Sequence, residues 1–242
     1  MSRLIAKYPE QHNTGEYYYF ESEALIKDTD LDVKYFSEFL IIDRIKENEE
    51  GYFDFNKSLV DIGAHLGGYT MLLNFKHNYC FEPNKKVLCL LYANTYLKDK
   101  VDNTDIYNCC LSDIEGDINY NGFCCEGSGS PDEKKIELFG EMHKTTAKTL
   151  DSFTIENVGL IKIDVEGFEE KVIRGGLGTI LRNNYPPILF ECWDVGHYNM
   201  TQEKRDSLFN LLKSLGYEIF EYWGDFETHL AVHKSQLEKN NQ

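Results

Sequence analysis

The sequence predicts an α/β fold: a doubly wound, mostly parallel sheet that ends in an antiparallel hairpin. Three observations carry that prediction. From residue 57 onward, short apolar runs alternate with stretches of helical period, the pattern of repeated strand–helix–strand units. The run "SLVDI" stops at the glycine-rich turn "GAHLGG", where something can approach the backbone closely. Near the far end, "YEIFEYW" and "THLAVHK" are consecutive strand-like runs around the turn "GD", with no helix between them.

The elements follow in order. Residues 1–30 are polar and aromatic with weak periodicity and read as an irregular or short-stranded cap. Over residues 32–50, Phe36, Phe39, Leu40, Ile42 and Ile45 recur at near-helical spacing, and Gly51 is the expected terminator. Residues 1–50 are therefore expected to form an extension packed on one domain spanning 51–242. In that domain "SLVDI" is a strand and "YTMLLNF" a buried helix. "NYCFEP" is a strand stopped by Pro83, and "NKKVLCLLYANTYLK" is a helix. "DIYNCCLSD" reads as one strand, and "DINYNGF" as the start of an antiparallel excursion. Residues 127–135 have the Gly, Ser and Pro content of a loop. "VGLIKIDVEG" is a strand, "EEKVIRGGLGTILRN" one helix, and "PPILFECW" a strand with its prolines at the start. "TQEKRDSLFNLLKSLG" opens at Thr201 with a capping box left incomplete by Lys204, and closes on Gly216. No internal repeat is evident.

Composition bounds the function. A chain of 242 residues can bury a core without disulfides or metal staples. Hydrophobic residues at 42% and charged residues at 27% exclude wholesale disorder. No apolar run approaches the ~20 residues of a membrane helix, and the N-terminus lacks a signal-peptide core. The expectation is a soluble, cytoplasmic protein. A net charge of -16 without a basic run argues against a nucleic-acid backbone as partner. The seven cysteines include two adjacent pairs, which lack the CxxC spacing of zinc or redox sites and read as reduced, small buried hydrophobes.

The glycine turn meets neither of two ligand-binding patterns. Gly63, Gly67 and Gly68 do not make the GxGxxG dinucleotide fingerprint, and of Tyr69 and Thr70, where a phosphate-binding loop needs Lys and then Ser or Thr, Tyr69 breaks that pattern. Asp61, at the strand end, would repel a pyrophosphate and attract a cationic amino group. Glu82 ends the next strand, where a carboxylate can accept both hydroxyls of an adenosine ribose. The favoured cofactor has a ribose and an ammonium but no phosphate, as S-adenosylmethionine does.

At this point a resemblance becomes specific. "LVDIGAHLGGYT", "CFEPN", "CCLSDIEGDI", "TLDSF", "LIKIDVEGFEEKVIRGG" and "PPILFECW", in that order, resemble the FkbM family of S-adenosylmethionine-dependent methyltransferases. The resemblance implies a Rossmann-like class I methyltransferase sandwich with a mostly parallel seven-stranded sheet and a C-terminal antiparallel hairpin. It implies that Asp61, Gly63, His65 and Gly67 line the methionine end of the cofactor, His65 standing where the family often carries Asn. Glu82 would hold the ribose, and Asn84, Ser112 and Asp113 would flank the adenine.

Methyl transfer to a hydroxyl needs alignment of donor and acceptor, and a base or metal to take or acidify the proton. Candidates lie at the carboxyl ends of adjacent strands. Asp164 and Glu191 are candidate catalytic residues, with Glu166 beside them. Asp164, Glu191 and Asp194 are candidate hard-oxygen ligands for a divalent cation, Mg or Mn. His197 reads equally as a base or as an ordinary loop histidine, and His143 is a second candidate base. Glu169 and Glu170 read as solvated helix residues. Lys162 reads as a catalytic lysine or, preferably, as a structural partner for a carboxylate. Trp193, Tyr198 and Trp223 could stack on a sugar or pack in the core. The leading expectation is O-methylation of a sugar hydroxyl in a glycan or glycosylated metabolite. The alternatives are ribose 2'-O-methylation of nucleic acid or cap, and a non-catalytic binding module. Acceptor specificity is expected in residues 1–30 and 127–145, loops over a rigid sheet.

Overall fold

The computed structural model describes residues 3–6, 18–21, 40–121, 142–196, 200–222 and 227–240. Most of the expected cap, the loop at 127–135, and His197, Tyr198 and Trp223 lie outside them. Of the first 50 residues, β1 (Arg3–Ala6) and β2 (Tyr18–Glu21) pair antiparallel, and helix α1 spans 40–47. Asn48, in left-handed conformation, closes this helix three residues before the expected Gly51.

The domain then runs β3 (Ser58–Ile62), α2 (Gly68–Leu72), β4 (His77–Phe81), α3 (Lys85–Leu97), β5 (Thr104–Tyr107), β6 (Cys110–Leu111), β7 (Gly116–Asn121) and β8 (Met142–Lys148). It continues with β9 (Val158–Ile163), α4 (Glu169–Arg174), α5 (Leu177–Arg182), β10 (Ile188–Glu191) and α6 (Gln202–Ser214). It closes with β11 (Tyr217–Glu221), β12 (Thr228–His233) and α7 (Lys234–Asn240). Seven strands form one sheet in the order β11-β12-β10-β9-β3-β4-β5. All neighbours are parallel except β12, which runs antiparallel to both β10 and β11. The expected hairpin and mostly parallel sheet are therefore present.

The central strands are buried on both faces, as parallel strands flanked by helices must be. Every residue of β3 and β9 is buried. Val60, Ile62, Ile161 and Ile163 pack with residues of α4, α5 and α6 on one face. Leu59, Leu160 and Leu189 pack with Ile41, Ile42 and Ile45 of α1 on the other. The chain leaves β3 toward β4 and β5, then returns to β9 on the opposite side. That reversal opens a crevice at the carboxyl ends of β3 and β9, the place where such sheets bind ligands.

Two local expectations are corrected. The run "DIYNCCLSD" is two strands: β5 edges the main sheet, whereas β6 joins β7 and β8 in a separate three-stranded sheet. Asn108 makes the break, donating to the carbonyls of Glu82 and Pro83 at 2.9 Å each. The helix expected over 169–183 is interrupted at Gly175–Gly176, because residue 175 passes against the end of β6. A Cβ at Gly175 would lie 2.0 Å from the Ser112 carbonyl oxygen. The second helix starts afresh on Asp151, whose carboxylate accepts the N–H groups of Gly178 and Thr179. That contact gives "TLDSF" its structural role. Among the described cysteines, Cys80, Cys109, Cys110 and Cys192 are buried thiols and Cys89 is exposed. No helix among the described residues is long and apolar enough to cross a membrane.

Candidate functional site

The crevice is built on two opposite charges in the buried strands. Asp61 of β3 and Lys162 of β9 are register partners. The Lys162 ammonium, 4% exposed as a residue, donates to the Gly63 carbonyl at 2.8 Å. It also lies 3.6 Å from Asp61 Oδ1 and 3.4 Å from Asp164 Oδ2. The Thr70 hydroxyl donates to Asp61 Oδ2 at 2.7 Å. Lys162 is thus the partner of carboxylates, the second of the roles its sequence setting allowed. Asp61 forms the floor of the crevice.

Above this floor the glycine turn folds back on β4. The N–H groups of Gly63 and Ala64 both donate to the Phe81 carbonyl, at 3.0 and 3.1 Å. Gly63 and Gly67 take φ of +74° and +86°, and a Cβ on Gly63 would lie 1.8 Å from the Asp164 carbonyl oxygen. Glu82, one residue beyond β4, clamps the turn. Its Oε2 accepts the His65 N–H at 3.0 Å and its Oε1 the Asn84 N–H at 2.7 Å. Four of the expected cofactor residues, Gly63, His65, Glu82 and Asn84, are thereby joined. Burial pushes the Glu82 carboxyl up to about 7 against the two N–H groups that favour its anion. Ser112 and Asp113 follow β6 of the smaller sheet, not a strand of the main one. Ser112 is buried and donates to Asp113, which is exposed.

The second wall is acidic. Asp164, Glu166 and Glu191 each bring one carboxylate oxygen within 4.8 Å of the others. The third member of this group is Glu166. Asp194, named with Asp164 and Glu191 from the sequence, stands 3.9 Å from Arg205 with its side chain 64% exposed. Trp193 is buried, and a Cβ on Gly167 would lie 3.5 Å from its ring. His143 falls in β8.

Glu169 corrects its sequence reading. It is 2% exposed, and its Oε1 accepts the N–H groups of Val165 at 3.2 Å and Gly167 at 3.1 Å. It closes the loop that carries Asp164 and Glu166, in which Glu166 takes φ of +60° and Gly167 +96°. An acid two residues after a glycine, at the start of a helix, was the available signal. Glu170 behaves closer to expectation, pairing with Arg174 at 2.6 Å. Glu169→Ala would orphan two N–H groups and is expected to cost about 2–4 kcal/mol. Glu169→Gln keeps a carbonyl acceptor and is expected to stay within about 1 kcal/mol of the wild type. Urea denaturation checks this, and equal losses in the two variants would refute the loop-closing role.

Burial also raises the Glu169 carboxyl to about 7 from the ordinary 4.5. Glu82 and Glu169 therefore hold protons in the folded chain that the unfolded chain has released, between pH of about 4.5 and 7. Their contribution to stability is complete below that window and is lost as pH rises through about 7. The unliganded protein is expected to melt lower at pH 8 than at pH 5.5. The difference should shrink in the Glu82→Gln/Glu169→Gln double variant. A higher melting temperature at pH 8 would contradict it.

Comparison with known proteins gives the family and the fold. The sequence matches the methyltransferase FkbM domain over residues 61–219. A hexuronic acid methyltransferase of Haloferax volcanii, AglP, is 27% identical over 135 residues, 52% of this chain and 53% of that protein. The chain thus spans about half the length of this curated relative. The crystal structure of a methyltransferase FkbM from Methylobacillus flagellatus superposes with a TM-score of 0.55 at 16% identity, covering 74% of this chain and 44% of that one. A Clostridium thermocellum protein provisionally assigned as an rRNA methylase gives 0.52 at 10% identity, covering 81% and 93%. The two solved structures share the fold, the family match spans more than half the sequence, and the chain belongs to the FkbM methyltransferase family.

Proposed function

We propose that the protein is an S-adenosylmethionine-dependent O-methyltransferase that acts on a sugar hydroxyl of a glycan or glycosylated metabolite. The observation that carries this reading is the junction of the Gly63 turn with Glu82. Position 63 of the turn admits no side chain, and the carboxylate beside it has two of its roughly four lone-pair directions taken by N–H groups. The remaining two suit the paired hydroxyls of a ribose. Asp61 Oδ1, buried and without a hydrogen bond among the described residues, is an acceptor suited to an ammonium. Both observations fit the cofactor. Asp61, Gly63, His65 and Gly67 would line its methionine end, and Asn84, Ser112 and Asp113 its adenine. Residues 51–242 would form the binding domain and residues 1–50 its cap.

When bound, S-adenosylmethionine supplies a methyl group on a positive sulfur, an activated leaving group. The chain then has to align the acceptor hydroxyl and receive its proton. Asp164 and Glu191, with His197, are the residues we assign to that task. A divalent cation, Mg or Mn, would be held by Asp164 and Glu191 with Glu166 or Asp194 and would lower the pKa of the hydroxyl. The name of the Haloferax volcanii relative supports a sugar acceptor.

The test is thermal unfolding with S-adenosylmethionine, S-adenosylhomocysteine, NAD and ATP in matched excess. A ligand at a hundred times its Kd adds about 2.7 kcal/mol. Stabilisation by the two sulfur compounds alone is expected. Glu82→Ala should weaken it by about a hundredfold or more in affinity, the loss of two charge-assisted bonds. Uronate-terminated and neutral oligosaccharides, offered with Mg²⁺, Mn²⁺ or a chelator, then identify the acceptor and the metal requirement. A folded protein that neither sulfur compound stabilises would end this reading.

A further inference from the structure

Arg205, in the first turn of α6, is spent on backbone. Its Nη1 donates to the carbonyls of Cys192 and Trp193, each at 3.1 Å. Its Nη2 lies 3.2 Å from Nε2 of His229 on β12. A guanidinium can only donate, so Nε2 accepts. The ring proton is therefore on Nδ1, which lies 3.0 Å from the Glu227 carbonyl and donates to it. That same carbonyl accepts the Cys192 N–H at 2.7 Å. The hydrogen bonds form a closed circuit through α6, the end of β10 and the start of β12. His229 is 1% exposed and stacks on Phe190, with ring centres 5.5 Å apart, so the acceptor cannot turn away.

What the circuit holds is the segment that follows Glu191 directly. Its next-but-one residue, Trp193, packs over Gly167 in the loop that bears Asp164 and Glu166. Two of the three clustered carboxylates thus sit on one loop and the third ends β10, and the Trp193–Gly167 contact joins the loop to the segment after that strand. We infer that Arg205, oriented by His229, is a positioning residue that fixes Glu191 against Asp164 and Glu166. Its importance to catalysis rests on the reading of that cluster as the acceptor site. Arg205 touches none of the three carboxylates and acts through the Cys192–Trp193 backbone.

The experiment uses the full chain labelled with 5-fluorotryptophan, the Trp193 resonance being identified by Trp223→Phe. Arg205→Lys keeps the charge and loses the fork; His229→Leu loses the acceptor; His229→Gln restores one. The Trp193 resonance is expected to move or broaden in Arg205→Lys and His229→Leu and to return toward its wild-type position in His229→Gln. Stabilisation by S-adenosylhomocysteine should persist in all three, since Glu82 and the glycine turn lie outside the circuit. With a sugar acceptor, turnover in Arg205→Lys is expected to fall about a hundredfold, the scale of a 1 Å misplacement, with KM for S-adenosylmethionine within about twofold. An unmoved Trp193 resonance in Arg205→Lys would overturn the inference. So would loss of S-adenosylhomocysteine binding wherever that resonance moves, because Arg205 would then support the whole fold. A wild-type protein that never binds S-adenosylhomocysteine would instead count against the proposed function, and the resonance would still report on the circuit.

Discussion

Gly63→Ala is expected to cost about 3–5 kcal/mol, enough to leave a domain of ordinary stability largely unfolded. Two costs combine. At φ of +74° an L-residue carries a penalty of about 1–2 kcal/mol. The added Cβ would also lie 1.8 Å from the Asp164 carbonyl oxygen and 2.9 Å from its carbon, contacts made by backbone and not by a side chain able to swing aside. Relief means separating the ends of β3 and β9, which are tied by the Asp164 N–H to the Ile62 carbonyl at 3.0 Å. Gly196→Ala is the control, with φ of +98° and nothing within 4 Å of the new Cβ. It should show the conformational penalty alone, about 1–2 kcal/mol. Urea denaturation of both variants separates the costs, and similar losses in the two would show that the close approach to Asp164 does not matter.

Lys162→Met is expected to destabilise the protein by about 3–5 kcal/mol, the usual result of stripping one partner from a buried ion pair. Asp61 is 1% exposed and would keep Thr70 as a hydrogen-bond donor but no cation. The Gly63 carbonyl would lose its ammonium at the same time. Combining Lys162→Met with Asp61→Asn removes both charges and should recover much of the loss. In a double-mutant cycle the pair should couple by about 2 kcal/mol or more, within the range seen for groups in direct contact. Strict additivity would mean that Lys162 serves chiefly Asp164 or the Gly63 carbonyl, with Asp61 a bystander.

Much of the scaffold was legible because its signals are local. A strand that must stop at a turn is marked by glycine, a strand buried on both faces by an unbroken apolar run, and a hairpin by two strand patterns without a helix between them. β3, β4, β9 and β10 stand where those signals put them. The errors arose where a tertiary contact overrode local pattern. Asn108 splits one expected strand by bonding to the β4 end, and Gly175 splits one expected helix because Ser112 lies against it. Glu169 looks like a solvated helix residue in one dimension; its place two residues after Gly167 is the one local sign of its role, and only the folded loop turns the Val165 and Gly167 N–H groups onto it.

The candidate site divides in the same way. Residue chemistry alone placed Asp61, Gly63, Glu82, Asp164 and Glu191 at strand ends, and the turn's spacing met neither the dinucleotide fingerprint nor the phosphate-loop pattern. Their mutual arrangement came only with the folded chain. Lys162 reaches the Gly63 carbonyl across 99 residues of sequence, and Glu166, not Asp194, completes the acidic cluster. Arg205 carried no signal beyond helix period. The physical reason is one of range. Backbone preferences and apolar periodicity act over a few residues and are written wherever they act. The register of β3 against β9, and the loops folded across their ends, depend on contacts between segments far apart in the chain, and these form only when the whole sheet closes.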